Sequence, residues 1–275
     1  MRVVDRLNDD ERAAAHAARL APYVTPHLER RAAGVKHPVH DFLFTYYNFR
    51  PAQLLRWNPG FEVESRTSGS AERPTHSQLA RVAQVHELLV ATAARAGNFG
   101  CFGLHEWAMV HGSEENRHPM PLRLSAADTD RVTESHRITC SHFDAFRFFT
   151  PSAVGMNSLQ PRSDDRPAYE QPACLHGGMD LYKHAYRLAP LIGSDLIADA
   201  FELAWDIRIL DMRAAPYNMT GWTLDPTGEE WTPVAIETPE GKAEYVRLQR
   251  EFAERGAPIR AALIAACERV LSTCP

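Results

Sequence analysis

The chain has 275 residues, of which 44% are hydrophobic, 9% aromatic and 24% charged. That is ample apolar material for a core, and it excludes a disordered or collagen-like polymer. A formal charge of −5 argues against a protein that coats nucleic acid, which carries a basic surplus. From Asn8 to about Ala33, an Ala-, Arg- and Glu-rich stretch predicts a helix that Pro22 and Pro26 break or kink. HPVHDFLFTYYNFR (37–50) predicts a second helix with Pro38 in its first turn; PAQLLRW (51–57) repeats the signal, and Asn58-Pro59-Gly60 is a turn. Residues 60–76 read as a strand or a surface excursion. In 77–97, Leu79, Val82, Val85, Leu88 and Leu89 fall at helical spacing and Gly97 stops the helix.

FGCFGLHEWAMVHG (99–112) predicts a short buried helix, and RITCSHFDAFRFFTP (137–151) an aromatic segment with an extended first half. Pro151, Pro161, Pro167 and Pro172 mark an irregular connection, followed by helices over 173–190 and 194–215. Residues 216–240 predict a loop with a hairpin, and 239–271 a long helix interrupted near Gly256-Ala257-Pro258. The expected fold is mainly α: a single domain over residues 1–275, a bundle of six to eight helices with at most a small β element. Its irregular connections fall near 58–76, 151–172 and 216–240. No apolar run reaches the roughly 18 residues of a bilayer span, and the N-terminus lacks the apolar stretch of a secretion signal. Five cysteines (Cys101, Cys140, Cys174, Cys267, Cys274) form no CxxC pair, which predicts free thiols and a cytoplasmic location.

The compositional oddity is 13 histidines, the commonest metal-ligand residue and the usual acid/base group near neutral pH. In GLHEWAMVH, His105 and Glu106 are adjacent, with His111 six residues on; Met109 stands where a zinc-protease HExxH would carry its second histidine. A glutamate in so apolar a segment needs a partner. His176, Asp180 and His184 recur at i, i+4 and i+8 on one helix face, and histidine plus carboxylate one turn apart is a metal-binding arrangement in helical bundles. Gly177 and Gly178 weaken that helix, which implies close approach by another element. In CSHFDAFRFF, His142 and Asp144 point the same way if the segment is extended, while its phenylalanines belong to the core. Asp195, Asp199, Glu202 and Asp206 form one acidic stripe, read as a solvated face. Arg208, Asp211 and Arg213 lie beside apolar residues, where buried ions need each other. His37 and His40 read as capping and surface residues. GxGxxG, P-loop and GxSxG signatures are all absent.

Five segments, HPVHDFLFTYY, FGCFGLHEWAMV, CSHFDAFRFFTP, CLHGGMDLYKHAYRLAP and DIRILDMRAAPY, together resemble a bacterial, largely actinobacterial family known as 3-methyladenine DNA glycosylases. The resemblance runs from about residue 36 to 260. It implies hydrolysis of the N-glycosidic bond of an alkylated adenine, with an extruded base and a carboxylate that stabilises the sugar cation. The helix-hairpin-helix signature of the well-known glycosylase superfamily is missing; Leu191-Ile192-Gly193-Ser194-Asp195 matches it poorly. His184 and His40 stand where the family usually carries Trp and an acidic residue, so neither inherits a role.

The leading expectation is a metal-dependent enzyme, an oxidoreductase acting on a small molecule or nucleobase-like substrate. His105, Glu106, His142, His176 and Asp180 are the candidate ligands. Glu106, Asp144, Asp206 and Asp211 are the candidate acid/base or supporting carboxylates. Iron is the first choice of metal, with zinc and manganese behind it. In spacing alone, His176-x3-Asp180 also resembles the third metal-binding helix of haem-oxygenase-like diiron oxidases. One alternative is a metal-free N-glycosylase using Glu106, Asp144 or Asp180; another is a non-enzymatic, ligand-binding helical module. A nucleic-acid partner is disfavoured, no membrane is expected, and the long C-terminal helix offers a face for a homodimer.

Overall fold

A computed structural model of the protein describes residues 8–61, 73–113 and 118–273. Two helices form its centre: α10 (Leu175–Arg187) and α11 (Ser194–Ala214), packed along each other. Around them stand α1 (Asp9–Ala32), α4 (His76–Ala93) and α12 (Pro239–Thr273). Helix α12 packs on α4, α11 and α10, while α1 lies against α11. Between these run one- to two-turn helices: α2 (Phe42–Thr45), α3 (Pro51–Leu54), α5 (Leu104–Ala108), α6 (Ala126–Glu134), α7 (Phe143–Phe146), α8 (Pro151–Val154) and α9 (Arg166–Tyr169). The described residues thus hold twelve helices rather than six to eight, because the proline-rich connections coil into single turns. The β element is one hairpin, β1 (Thr223–Leu224) antiparallel to β2 (Glu229–Glu230), with Thr223 opposite Glu230.

Helix α11 is central because its apolar face is broad: Ile197, Phe201, Ala204, Trp205 and Ile207 are all buried. The acidic stripe occupies its remaining face, where Arg19 pairs with Asp199 and Glu202 and Arg255 with Asp206. Gly178 lets α10 approach closely, since a Cβ there would sit 2.6 Å from Ile207 Cδ1 of α11. The larger core includes Leu43, Trp107, Met179, Phe201 and Leu263, and a second cluster joins Val39, Val110, Met212, Tyr217 and Trp231 beneath the hairpin.

Several local expectations are corrected. Helix α1 runs unbroken through Pro22 and Pro26. Its capping box joins Asn8 and Glu11, its buried face holds His16, Leu20, Val24 and His27, and the carbonyls left unpaired belong to exposed Ala18 and Pro22, within reach of water. Pro258 likewise sits inside a continuous α12, opposite exposed Glu254. The predicted helix over 37–50 shrinks to α2 and that over 99–112 to α5; in 137–151 the chain stays extended through His142, but Asp144 lies in α7, so the two do not share one strand face. Most of the segment 60–76, read as strand or excursion, lies outside the described residues. His37 and His40 are buried, not superficial. His40 stacks on Trp205 at 4.2 Å and accepts the Asp225 N–H at 2.9 Å, while His37 bonds the Thr223 carbonyl, so the pair anchors the hairpin.

Candidate metal centre

The approach to α5 is a tight turn in which Phe102 (φ 50°) and Gly103 (φ 70°) both adopt left-handed backbone. Glycine takes this conformation freely; phenylalanine does not, so the segment carries local strain. A Cβ at Gly103 would meet Ala214 and Tyr245 at 3.3 and 3.4 Å. The turn drives α5 into the core, where all five of its residues are buried.

There His105 donates through Nε2 to Asp211 Oδ1 at 2.9 Å, and Arg208 donates to the other carboxylate oxygen at 2.7 Å. The Arg208 guanidinium itself lies 4.1 Å over the Phe42 ring. His176, from the first turn of α10, meets His105 edge to face with ring centroids 4.4 Å apart. Ligand atoms of His105, His176 and Asp211 all lie within 4.8 Å of one another, so the three could hold a metal ion. His176 Nδ1 is buried with no hydrogen-bond partner.

Burial alone would lower the His105 pKa, but the Asp211 carboxylate, and then Cys101, outweigh it and raise it to about 10. Burial would likewise lift the Asp211 carboxyl, yet its bond to His105 and the neighbouring cations hold it well below the usual range. His176 is driven the other way, by burial first and then by the charge on His105, and stays neutral.

A second group adjoins the first. The His142 and His176 rings stack at 5.4 Å, and His142 Nε2 lies 3.2 Å from Asp180 Oδ2. Tyr47 donates its hydroxyl proton to Asp180 Oδ1 at 3.0 Å. His142, Asp144 and Asp180 also have ligand atoms within 4.8 Å of one another. Cations already serve this group, however. Lys183 pairs with Asp180 and with Asp144 (3.2 Å), and Arg166 pairs with Asp144 (2.6 Å) and Glu170 (3.3 Å). Burial raises the Asp180 pKa, but Lys183 and then His142 more than reverse it, so the carboxylate is charged and neutralised in place. A metal cation there would meet Lys183 and Arg166; the first group has cations of its own in His105 and Arg208, but it adds a neutral, unpartnered imidazole, His176.

The five ligand candidates from the sequence therefore divide. His105 and His176 join Asp211; His142 and Asp180 join Asp144; and His176 and Asp180, one turn apart, serve different groups rather than one ion. Glu106 is buried beside His105 in sequence but turns toward His118, 3.9 Å away. Asp206 faces outward, 43% exposed, and pairs with Arg255 at 2.6 Å. His184 is buried one turn beyond Asp180, outside both groups, and His111 bonds the Ser152 hydroxyl at 2.8 Å.

Sequence reasoning missed the thiols. Cys101 Sγ lies 3.9 Å from His105 Nδ1, and Cys101, Cys140 and Cys174 line a cavity of about 10 Å³ beside His105 and His176, room for about one water. The i, i+4 spacing of Cys101 and His105 was the available signal. Its use required knowing that the chain turns there. No protein family, curated protein or solved structure matches this chain, so the geometry stands by itself.

Proposed function

We propose that the protein is a metal-dependent enzyme, with iron as its metal, that oxidises a small molecule at His105, His176 and Asp211. The carrying observation is the donor set itself: two histidines and one carboxylate from three separate elements, with all ligand atoms within 4.8 Å. Two imidazoles and a carboxylate on one face, leaving further positions open, is the ligand set of non-haem iron oxygenases. The buried, unpartnered Nδ1 of His176 supports the reading, because a buried donor atom without a partner is otherwise costly. A bound iron would supply Lewis-acid and redox chemistry in a site almost free of water.

The chain's own residues do the positioning. Arg208 holds Asp211 Oδ2, leaving Oδ1 directed at His105, and Phe42 covers Arg208. His105 shares a proton with Asp211, and a metal held by this pair would require both in their unprotonated forms, so loading would release protons and weaken at low pH.

Elemental analysis of tag-free protein, purified with and without oxygen, tests the proposal. Stoichiometric iron is expected, lost in both His105→Ala and His176→Ala and retained in Asp144→Asn. Zinc in the same sites would redirect the chemistry to hydrolysis. Protein free of metal under both conditions would overturn the reading. Release of free base from alkylated duplex DNA at low salt would then be the assay to run, as the glycosylase resemblance implies.

A further inference from the structure

On the other side of the His142–Asp180 group lies an open pocket of about 480 Å³ between α4 and α10, the size of a small-molecule site. Its walls carry five cations: Arg81 from α4, Arg147 beside α7, Arg166 from α9, and Lys183 and Arg187 from α10. In a chain of net charge −5, this is a local concentration and not a general surface property. One acid, Asp144, lines the pocket, and Asp180 and Glu170 stand behind it. Those three carboxylates are shared among Arg166, Lys183 and Arg147, the last 3.5 Å from Asp144. Arg81 and Arg187 have no hydrogen bond or ion pair among the described residues. They flank the pocket together and also border a smaller adjoining recess. His184, in the same wall, is held neutral by burial, its pKa pushed down to about 3, and adds no charge.

Five cations against three carboxylates leave two positive charges, both on unengaged guanidinium groups. A phosphomonoester carries about −1.5 to −2 at neutral pH and offers three acceptor oxygens to such groups. We propose that this pocket binds the phosphate of a small phosphomonoester, with Arg81 and Arg187 as its principal contacts and Tyr46 at the wall beside the organic part. Cations gathered around one pocket of small-molecule size, instead of along a face, favour a small ligand over a nucleic-acid strand. The inference does not depend on the metal reading, since neither arginine touches the histidine groups.

Titration calorimetry of the full chain in EDTA tests it, with phenyl phosphate, inorganic phosphate and benzoate as probes. Saturable, salt-sensitive binding of phenyl phosphate below 1 mM is expected, weakened at least about tenfold by Arg81→Ala and by Arg187→Ala. Benzoate should bind far more weakly. Both arginines are exposed, so melting curves of the variants should match the parent, and Lys242→Ala should bind normally. Phenyl phosphate tighter than inorganic phosphate would support an organic ester; equal affinity would support free phosphate at the same site. No saturable phosphate binding, binding indifferent to both substitutions, or binding confined to a DNA duplex would overturn the proposal. Because EDTA removes metal, a failure here leaves the iron reading untouched, and the converse holds.

Discussion

Asp211 is fully buried and accepts from both His105 and Arg208. Removing its charge leaves the Arg208 guanidinium unpaired in the interior. Asp211→Asn should therefore destabilise the fold by about 3–5 kcal/mol in urea unfolding, the range for breaking a buried ion pair from one side. Asp206→Asn, in the exposed pair with Arg255, should cost less than about 1 kcal/mol. Equal effects at the two positions would refute the division between an interior centre and an outer face. Both aspartates lie on one helix and in similar local sequence; only their neighbours in space tell them apart. Asp211 was legible as a residue in need of a partner, because charges flanked by Ile and Leu are expensive alone. Its partner, His105, lies 106 positions away, and no local pattern joins the two.

Helix packing rests on a few close approaches. A methyl at position 178 would press on Ile207 Cδ1, so Gly178→Ala sets a clash against the roughly 1 kcal/mol of helix propensity that alanine adds. Ile207→Val removes the clashing carbon at a cost of about 0.5–1.5 kcal/mol. The double variant should be more stable than the two single effects summed, by about 1 kcal/mol in a double-mutant cycle; additivity would mean that the helices are not in contact there. Position 241 admits no such rescue. A Cβ there would fall 2.0 Å from the Ala235 carbonyl oxygen, which is backbone, so Gly241→Ala should cost about 3 kcal/mol. The glycine pair at 177–178 already signalled close contact in the sequence. What escaped prediction were the prolines of α1 and α12: a local rule treats each as a break, but packing of the buried faces and hydration of the exposed carbonyls carry both helices through.

The molecule buries His40 and His184 as neutral groups, and that sets its response to acid. Burial, with the nearby cations, lowers the His40 pKa to about 2 and the His184 pKa to about 3. In the unfolded chain both return to about 6.5. Below that value the unfolded state binds protons that the native state refuses, so stability falls with pH from about 6.5 down to about 3. Each histidine contributes a slope of roughly 1.4 kcal/mol per pH unit in that window. Urea midpoints should be highest near pH 7, fall above it because His105, its pKa raised to about 10, keeps a proton in the native state that the unfolded chain gives up, and drop steeply between pH 6 and 5; His40→Gln should make the acid limb shallower. A flat profile across pH 5–7 would show that these side chains charge freely in the native state. His40 cannot charge without losing its acceptor role toward the Asp225 N–H, which ties this pH response to the hairpin.

By itself, the sequence determined the mainly helical class, the helices over 77–97, 173–190 and 194–215 to within a few residues at their ends, the solvated acidic stripe and the identity of the histidines and carboxylates worth watching. Each of these follows from periodicity, side-chain chemistry or the expense of burying a charge, which are properties of neighbouring residues. Only the tertiary structure decided which of them meet: that His176 turns to His105 and Asp211, that Asp180 is claimed by Lys183, and that five cations from four elements surround one pocket. Those outcomes depend on how helices distant in sequence cross and how closely Gly178 lets two of them approach. A pattern of 3.6 residues per turn contains no information about that crossing.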